Sequence, residues 1–252
     1  MSLTVTKGEE LVSIIMPTYN ASSTIEESVR SVINQTYQNW ELLITDDASS
    51  DNTTQLIANF EDPRIKLAVS KKNYGAGVSR NNSIARATGR YIAFLDSDDL
   101  WGKEKLSKQI SIMQQYNYAF TYTYYQKFTS EKYGSVVKAP PIVTYDKLLD
   151  SNCIGCLTAV YDQYILGKHY MPTIRMRQDM ALWLTLLTHI DRAYCITESL
   201  AYYRTDTGMT KNKLSAARAQ WDLYTKTVGL SKKQSLSRML KYSVHGLIKK
   251  LK

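Results

Sequence analysis

Between Leu11 and Tyr116, short apolar runs alternate with amphipathic segments at a nearly regular pitch, and this alternation restricts the fold more than any other feature of the chain. Leu11 to Met16, Trp40 to Thr45, Ile65 to Val69 and Tyr91 to Leu95 read as buried strands. Thr24 to Asn34, Asn52 to Phe60, Val78 to Ala87 and Lys103 to Tyr116 read as the intervening helices, with Ile25, Val29, Val32 and Ile33 at near-helical spacing in the first. Ser50 or Asp51 can cap the second helix. Strands joined through helices form right-handed parallel crossovers, so the expected class is α/β: a mainly parallel central sheet with helices on both faces. Ligands of such sheets bind beyond the carboxyl ends of the strands.

After Phe120 the pattern loosens. Phe120 to Tyr125 and Leu157 to Tyr161 read as strands, Ala139-Pro140-Pro141 as a break, Gln178 to Thr188 as a helix and Leu200 to Arg204 as an extended segment. Two helical stretches, 213–227 and 231–251, close the chain around Gly229. The chain therefore divides into a domain over residues 1–210 and a basic C-terminal helical extension over 211–252. Most of the net charge of +9 sits in that tail, where Lys232, Lys233, Arg238, Lys241, Lys249, Lys250 and Lys252 meet no acidic residue. With 252 residues, 44% of them hydrophobic, a substantial core is available and disorder is excluded. The opening MSLTVTKGEE lacks the form of a signal peptide and no apolar run is long enough to span a bilayer, so a cytoplasmic location is expected. Cys153 and Cys156 have CxxC spacing, but no second pair or neighbouring basic residue accompanies them; with Cys195 they read as buried thiols.

Two strands end in carboxylates, ELLITDDASSDNTT after the second and YIAFLDSDDLWG after the fourth. In a parallel sheet these ends face one way, so Asp46, Asp47, Asp96, Asp98 and Asp99 are expected along one crevice. Either cluster alone could be Asx-turns or helix caps. Together, at matching strand ends, they mark a site. Like charges this close resist desolvation unless a cation offsets them, and Asp-x-Asp oxygens suit Mg²⁺ or Mn²⁺, which keeps positions for substrate phosphate. A diphosphate ligand follows. In KKNYGAGVSRNN, Gly75 and Gly77 permit close backbone approach and Arg80 supplies a cationic fork, although the loop is neither a Walker motif nor a dinucleotide fingerprint.

The ordered segments VSIIMPTYNASSTIEESVRSVINQTYQNWELLITDDASSDNT, NYGAGVSRNNSIARATGRYIAFLDSDDLW, RQDMALWLTLL and AYYR resemble the family 2 glycosyltransferases of the GT-A fold. NKLSAARAQWDLYTKTVGL is similar to the members that assemble O-antigen and related surface polysaccharides. The resemblance implies that Pro17, Thr18, Tyr19 and Asp47 hold the nucleotide, with Arg80 nearby, Asp96 at the ribose or the metal waters, and Arg204 at the diphosphate. Asp98, with Asp99 assisting it or capping the next helix, would hold the cation. Asp179 would be the catalytic base, turned to the edge of a helix whose Met180, Trp183, Leu184 and Leu187 form an apolar stripe. The family usually has Glu-Asp at this point; here Gln178 removes the like charge beside Asp179. Asp206 stands where the family often has a metal-approaching histidine, and His169 and His189 fall in no motif and read as structural.

The implied activity is inverting transfer of a hexose from a nucleoside-diphosphate sugar, as in UDP-hexoses, to a hydroxyl of a lipid-diphosphate-linked or polysaccharide acceptor. The basic tail, with Leu236, Met239, Leu240, Val244, Leu247, Ile248 and Leu251 among its lysines, either docks on the domain or lies on the cytoplasmic face of the inner membrane. Two rivals share parts of the pattern: a haloacid dehalogenase-type phosphohydrolase, which also uses hydrophobic-DxD, and a basic nucleic-acid-binding module. The first normally carries its motif after the first strand, and the second is at odds with an acidic sheet edge.

Overall fold

The computed structural model describes residues 10–206 and 213–251. The expected domain boundary at residue 210, the chain's opening nine residues and Lys252 lie outside the described residues. The alternating half comprises β1 (Val12–Thr18), α1 (Ile25–Ile33), β2 (Trp40–Asp46), α2 (Thr53–Ala58), β3 (Ile65–Val69), α3 (Ala76–Arg86) and β4 (Tyr91–Phe94). A short β5 (Leu100–Trp101) and α4 (Lys105–Tyr116) complete it. Next come β6 (Phe120–Phe128), β7 (Tyr133–Val137), β8 (Ile142–Val143), α5 (Tyr145–Asp150), β9 (Val160–Asp162) and α6 (Gln163–Leu166). The chain finishes with α7 (Gln178–Leu186), β10 (Ala193–Arg204), α8 (Lys213–Asp222) and α9 (Lys232–Leu251).

One sheet runs in the order β3-β2-β1-β4-β9-β6-β10-β5, with β7 beside β6 and β8 beside β10. The β3-β2-β1-β4 half is parallel throughout, as the crossovers require. The other half is mixed: β9 lies antiparallel between β4 and β6, and β10 runs parallel to β6 but antiparallel to β5 and β8. β1 is buried along its whole length because both faces are covered. Val12, Ile14 and Met16 join Ile25, Val29 and Val32 of α1 in one core, while Ile15 joins Ile84 of α3 and Trp183 of α7 in the other.

The helix α7 differs from its expected amphipathic form. Met180, Ala181, Leu182, Trp183, Leu184 and Leu186 are all buried, so the helix is enclosed rather than striped. The C-terminal segment supplies the extra cover: Leu223 and Tyr224 are fully buried in the same core, and Gln220 Nε2 approaches the Met180 sulfur at 3.5 Å. Arg238 anchors α9 to α5 through Asp150 at 2.8 Å and through Asp146. Met239 and Tyr242 face the core, whereas Leu236, Leu240 and Val244 stand exposed on the opposite side. Among the described residues no helix is long and apolar enough to cross a membrane.

Candidate active site

The Asp96–Asp99 turn leaves β4 and crosses to β5 beside β10, so it spans both halves of the sheet. It is tied from two sides. Thr24 Oγ1 donates to the Ser97 carbonyl at 2.9 Å, and Arg204, the last residue of β10, donates from Nε to the Asp98 carbonyl at 2.8 Å and from its amide to Asp99 Oδ1 at 2.9 Å. The Arg204 guanidinium also pairs with Glu27 at 2.5 Å and covers the Phe128 ring at 4.5 Å. Arg204 therefore holds the acidic turn in place and is itself buried, with its guanidinium committed to these partners.

The three carboxylates have separate environments. Asp96 pairs with Arg80 at 2.5 Å. Asp98 is half-buried. Asp99 is buried, and burial, then the Asp96 and Asp98 charges, push its carboxyl well above the ordinary range against the pull of Arg204. Neither Asp98 nor Asp99 caps α4, which begins at Lys105 with Glu104 before it. Crowded hard oxygens whose repulsion favours the protonated form of one member are the donor chemistry that a divalent cation fits. Among the described residues no three acidic, His or Cys side chains form a ready-made cation cage. Mg²⁺-type sites often use only one or two carboxylates together with substrate phosphates.

Arg80 joins this turn to α7. It is buried on the first turns of α3, gives Nη2 to Asp96 and Nη1 to Gln178 Oε1 at 3.1 Å, and keeps Nε without a partner. Burial opposes its charge, yet Asp96 foremost, with Cys156 and Asp179, raises its pKa further. Gly77 serves this junction rather than a ligand, since a Cβ there would lie 2.8 Å from Gln178 Nε2. Asp179, half-buried beside Gln178 at the start of α7, is thereby brought within electrostatic reach of Arg80. Gln178 also donates to the Ile174 carbonyl, so the residue that departs from the family pattern is a structural bridge.

On the β1 and β2 side, Pro17 and Thr18 are the last buried residues of β1, and Tyr19 follows with its ring exposed. Thr18 Oγ1 is buried without a partner. Asp47 receives the amides of Tyr74 and Gly75 at 2.9 and 2.6 Å, while its own amide donates to the Thr18 carbonyl at 2.8 Å. The carboxylate thus fixes the loop entering α3, and Gly75 meets it at a φ of 93° that favours glycine. Asp46 does not face the crevice. It is fully buried and accepts from the amide and the hydroxyl of Ser49, three residues on. Asp206 likewise turns away, accepting from the amide and hydroxyl of Ser130, which lower its pKa.

Cys156 was legible only as a buried thiol, but the fold brings it within electrostatic reach of Arg80, Asp96 and Asp179. Burial pushes this thiol well up despite Arg80, so it remains a poor nucleophile. The His169 and His189 rings lie 5.0 Å apart, and His169 Nε2 bonds the Leu166 carbonyl at 2.7 Å. Tyr242 is the participant that sequence reasoning missed. Its ring lies 5.5 Å from the guanidinium carbon of Arg177, the residue preceding α7, and burial raises its phenol pKa while Arg177 opposes the rise. The basic, apolar pattern of the tail gave no signal for one inward-facing tyrosine.

A mixed α/β sheet carrying a pinned acidic turn beside a carboxylate-bearing helix start defines a GT-A-type glycosyltransferase scaffold. The solved structure of S. aureus TarS residues 1–349 with UDP-GlcNAc superposes with a TM-score of 0.71 at 18% identity, covering 92% of this chain and 71% of that one, which supports the same fold. The family model described as Glycosyl transferase family 2 matches residues 13–164, and the chain belongs to that family. It is 39% identical to a Bacillus subtilis (strain 168) glycosyltransferase named for teichuronic acid biosynthesis, over 98% of this chain and 100% of the relative. It is 42% identical, over 84% of this chain and 85% of the relative, to an Escherichia coli protein named UDP-Glc:alpha-D-GlcNAc-diphosphoundecaprenol beta-1,3-glucosyltransferase. Family membership sets aside the phosphohydrolase and nucleic-acid readings.

Proposed function

We propose that the protein transfers a hexose from a UDP-sugar to a hydroxyl of a lipid-diphosphate-linked saccharide, by one displacement that inverts the anomeric centre. The observation that carries this reading is Arg80, which ties Asp96 of the acidic turn to Gln178 and so aligns a diphosphate subsite with Asp179. Relatives named for teichuronic acid and for a diphosphoundecaprenol acceptor support the substrate classes.

Tyr19 stacks on the base, Pro17 and Thr18 form the floor beneath it, and Asp47 orders the loop beside it while offering a remaining lone pair. Asp98, with Asp99 beside it, would hold Mn²⁺ or Mg²⁺, and Asp96 would reach the ribose or the metal waters, while Arg204 fixes the turn from behind. When bound, the cation supplies positive charge against the nucleoside-diphosphate leaving group. Arg80 adds a fixed cation on the α3 side. Asp179 takes the proton of the acceptor hydroxyl as its oxygen attacks. The exposed Leu236, Leu240 and Val244, with Lys232, Lys233 and Lys241 nearby, fit peripheral contact with an anionic cytoplasmic membrane surface, while the other side of α9 stays docked.

The test is incubation with Mn²⁺, a panel of nucleotide sugars and a GlcNAc-diphosphate-lipid analogue, read as a mass increase of one hexose. Asp179→Asn should lose roughly 10²–10⁴-fold in kcat, the scale of general-base catalysis. Full transfer by that variant would remove Asp179 from the role, and activity unchanged by chelation would remove the cation.

A further inference from the structure

Arg177 combines two costly features with an aromatic contact immediately before the helix that bears the proposed base. It holds a φ of 69°, in the left-handed region where a non-glycine residue stores strain. Its Nε is buried without a hydrogen-bond partner in a structure whose buried polar groups are mostly paired. Its guanidinium lies over Tyr242 of α9, a helix otherwise fastened to α5 by Arg238. Two residues earlier, Arg175 is exposed and forms no ion pair among the described residues.

We propose that Arg177 and Arg175, with the Tyr242 ring behind the Arg177 guanidinium, bind the diphosphate of the lipid-linked acceptor and present its sugar hydroxyl to Asp179. The inference rests on Asp179 being the base and adds a site on the acceptor side of it. An arginine fork matches phosphate oxygens in a bidentate manner, and the start of the nine-residue α7 adds a favourable dipole for an anion. The tyrosine ring restrains the planar guanidinium before the ligand arrives, which lowers the ordering cost of binding. Placement agrees with the chemistry. Tyr242 ties Arg177 to α9, and Asp179 follows Arg177 by two residues, so a ligand held by Arg177 lies next to the proposed base.

The two diphosphates of the reaction would then be read differently. The donor's lies against a turn crowded with carboxylates, where a cation is required to offset the charge. The acceptor's meets arginines directly.

The experiment compares two acceptors of one sugar with the full chain and a UDP-hexose: a GlcNAc-diphosphate-lipid analogue and an alkyl glycoside of GlcNAc without phosphate. For Arg177→Gln, Arg175→Gln and Tyr242→Ala, the ratio of kcat/KM between the two acceptors should fall by about tenfold to a hundredfold, as expected for lost hydrogen bonds to a charged group. The KM for donor should hold, and Tyr242→Phe, which keeps the ring but loses the hydroxyl contact to Arg177, should keep more of the preference than Tyr242→Ala. Equal losses on both acceptors would reduce Arg177 to a structural residue, and a raised donor KM would assign these arginines to the donor diphosphate. Either result overturns the proposal. Absence of transfer by the unaltered protein to any acceptor would instead overturn the parent reading, and this one with it.

Discussion

The two halves of the sheet solve different problems with different connectivity. In β3-β2-β1-β4 every ladder is parallel and the strands follow one another in the chain through single helices, with only the β1–β4 pairing long-range. In the β9-β6-β10-β5 half the partners are distant: Tyr91 of β4 faces Asp162 of β9, and Phe128 of β6 faces Arg204 of β10. In the proposed mechanism the first half presents loops for a nucleotide, while the second delivers the helix that bears Asp179 and the arginine that closes the acidic turn. Two buried arginines cross between them in opposite directions. Arg80 reaches from α3 of the first half to Gln178 of α7, and Arg204 reaches from β10 of the second half to the turn after β4. The halves act together because of these crossings rather than because of a shared local pattern.

Removing the first crossing should have the largest effect. Arg80→Met leaves Asp96 without its counter-charge and Gln178 without its donor, so the base helix loses its register against the acidic turn. A misplacement of this kind costs roughly 10²-fold in kcat. Arg80→Lys keeps the charge without the two-armed geometry and should fall between the two. Steady-state kinetics beside a thermal melt separates this from unfolding. Full kcat in a folded Arg80→Met would show that the halves align without the bridge.

The second crossing should matter less to chemistry and more to donor binding. Arg204→Ala removes the bonds from Nε to the Asp98 carbonyl and from Nη2 to Glu27, but leaves the backbone amide on Asp99. Loss of charge-assisted bonds on this scale costs roughly 1.5–3 kcal/mol. The turn then loosens, donor KM rises, and kcat changes less than in Arg80→Met. Titration with UDP-sugar checks this, and an unchanged donor KM would mean that the turn keeps its form without the side chain.

The same contrast explains what could be read before the structure. Val12, Ile14 and Met16 alternate with Ile15 in the segment itself, and Ile25, Val29 and Val32 repeat at helical spacing, so the first half announces its elements locally. The acidic turn was legible for the same reason, since three carboxylates after an apolar run have few stable uses. Which carboxylate does what was not legible. Asp46 is bonded to Ser49 three residues on, and Asp99 accepts the amide of Arg204 from far along the chain, yet nothing in ITDD or LDSDD itself shows which carboxylate is buried and which faces the crevice. β7, β8 and α5 had no clear period, and β9 is only three residues long. The enclosure of α7 depends on Gln220, Leu223 and Tyr224, which a reading along the chain places in a separate helical extension without showing what they pack against.

The smallest effect concerns α4, the helix that follows the acidic turn and β5 in the chain. Lys105 is fully buried at the start of α4, bonded to Gln109 Oε1 at 2.7 Å and lying 4.3 Å over the Trp101 ring, and burial lowers its pKa from 10.5 to about 7. Below about pH 7 both folded and unfolded chains carry the charge, and the full cost of burying it falls on the folded state. Between about 7 and 10.5 the unfolded chain binds more protons, so this residue makes stability rise with pH. Lys105→Met fills much of the same volume without that cost and should stabilise the protein by roughly 1–3 kcal/mol near neutral pH, less the unpaired Gln109 oxygen. It should also flatten the rise of stability between pH 7 and 10 measured by denaturant titration. A destabilised variant with the pH slope intact would show that the ammonium is held by Gln109 and Trp101 strongly enough to outweigh its burial, and that α4 owes its position to that contact.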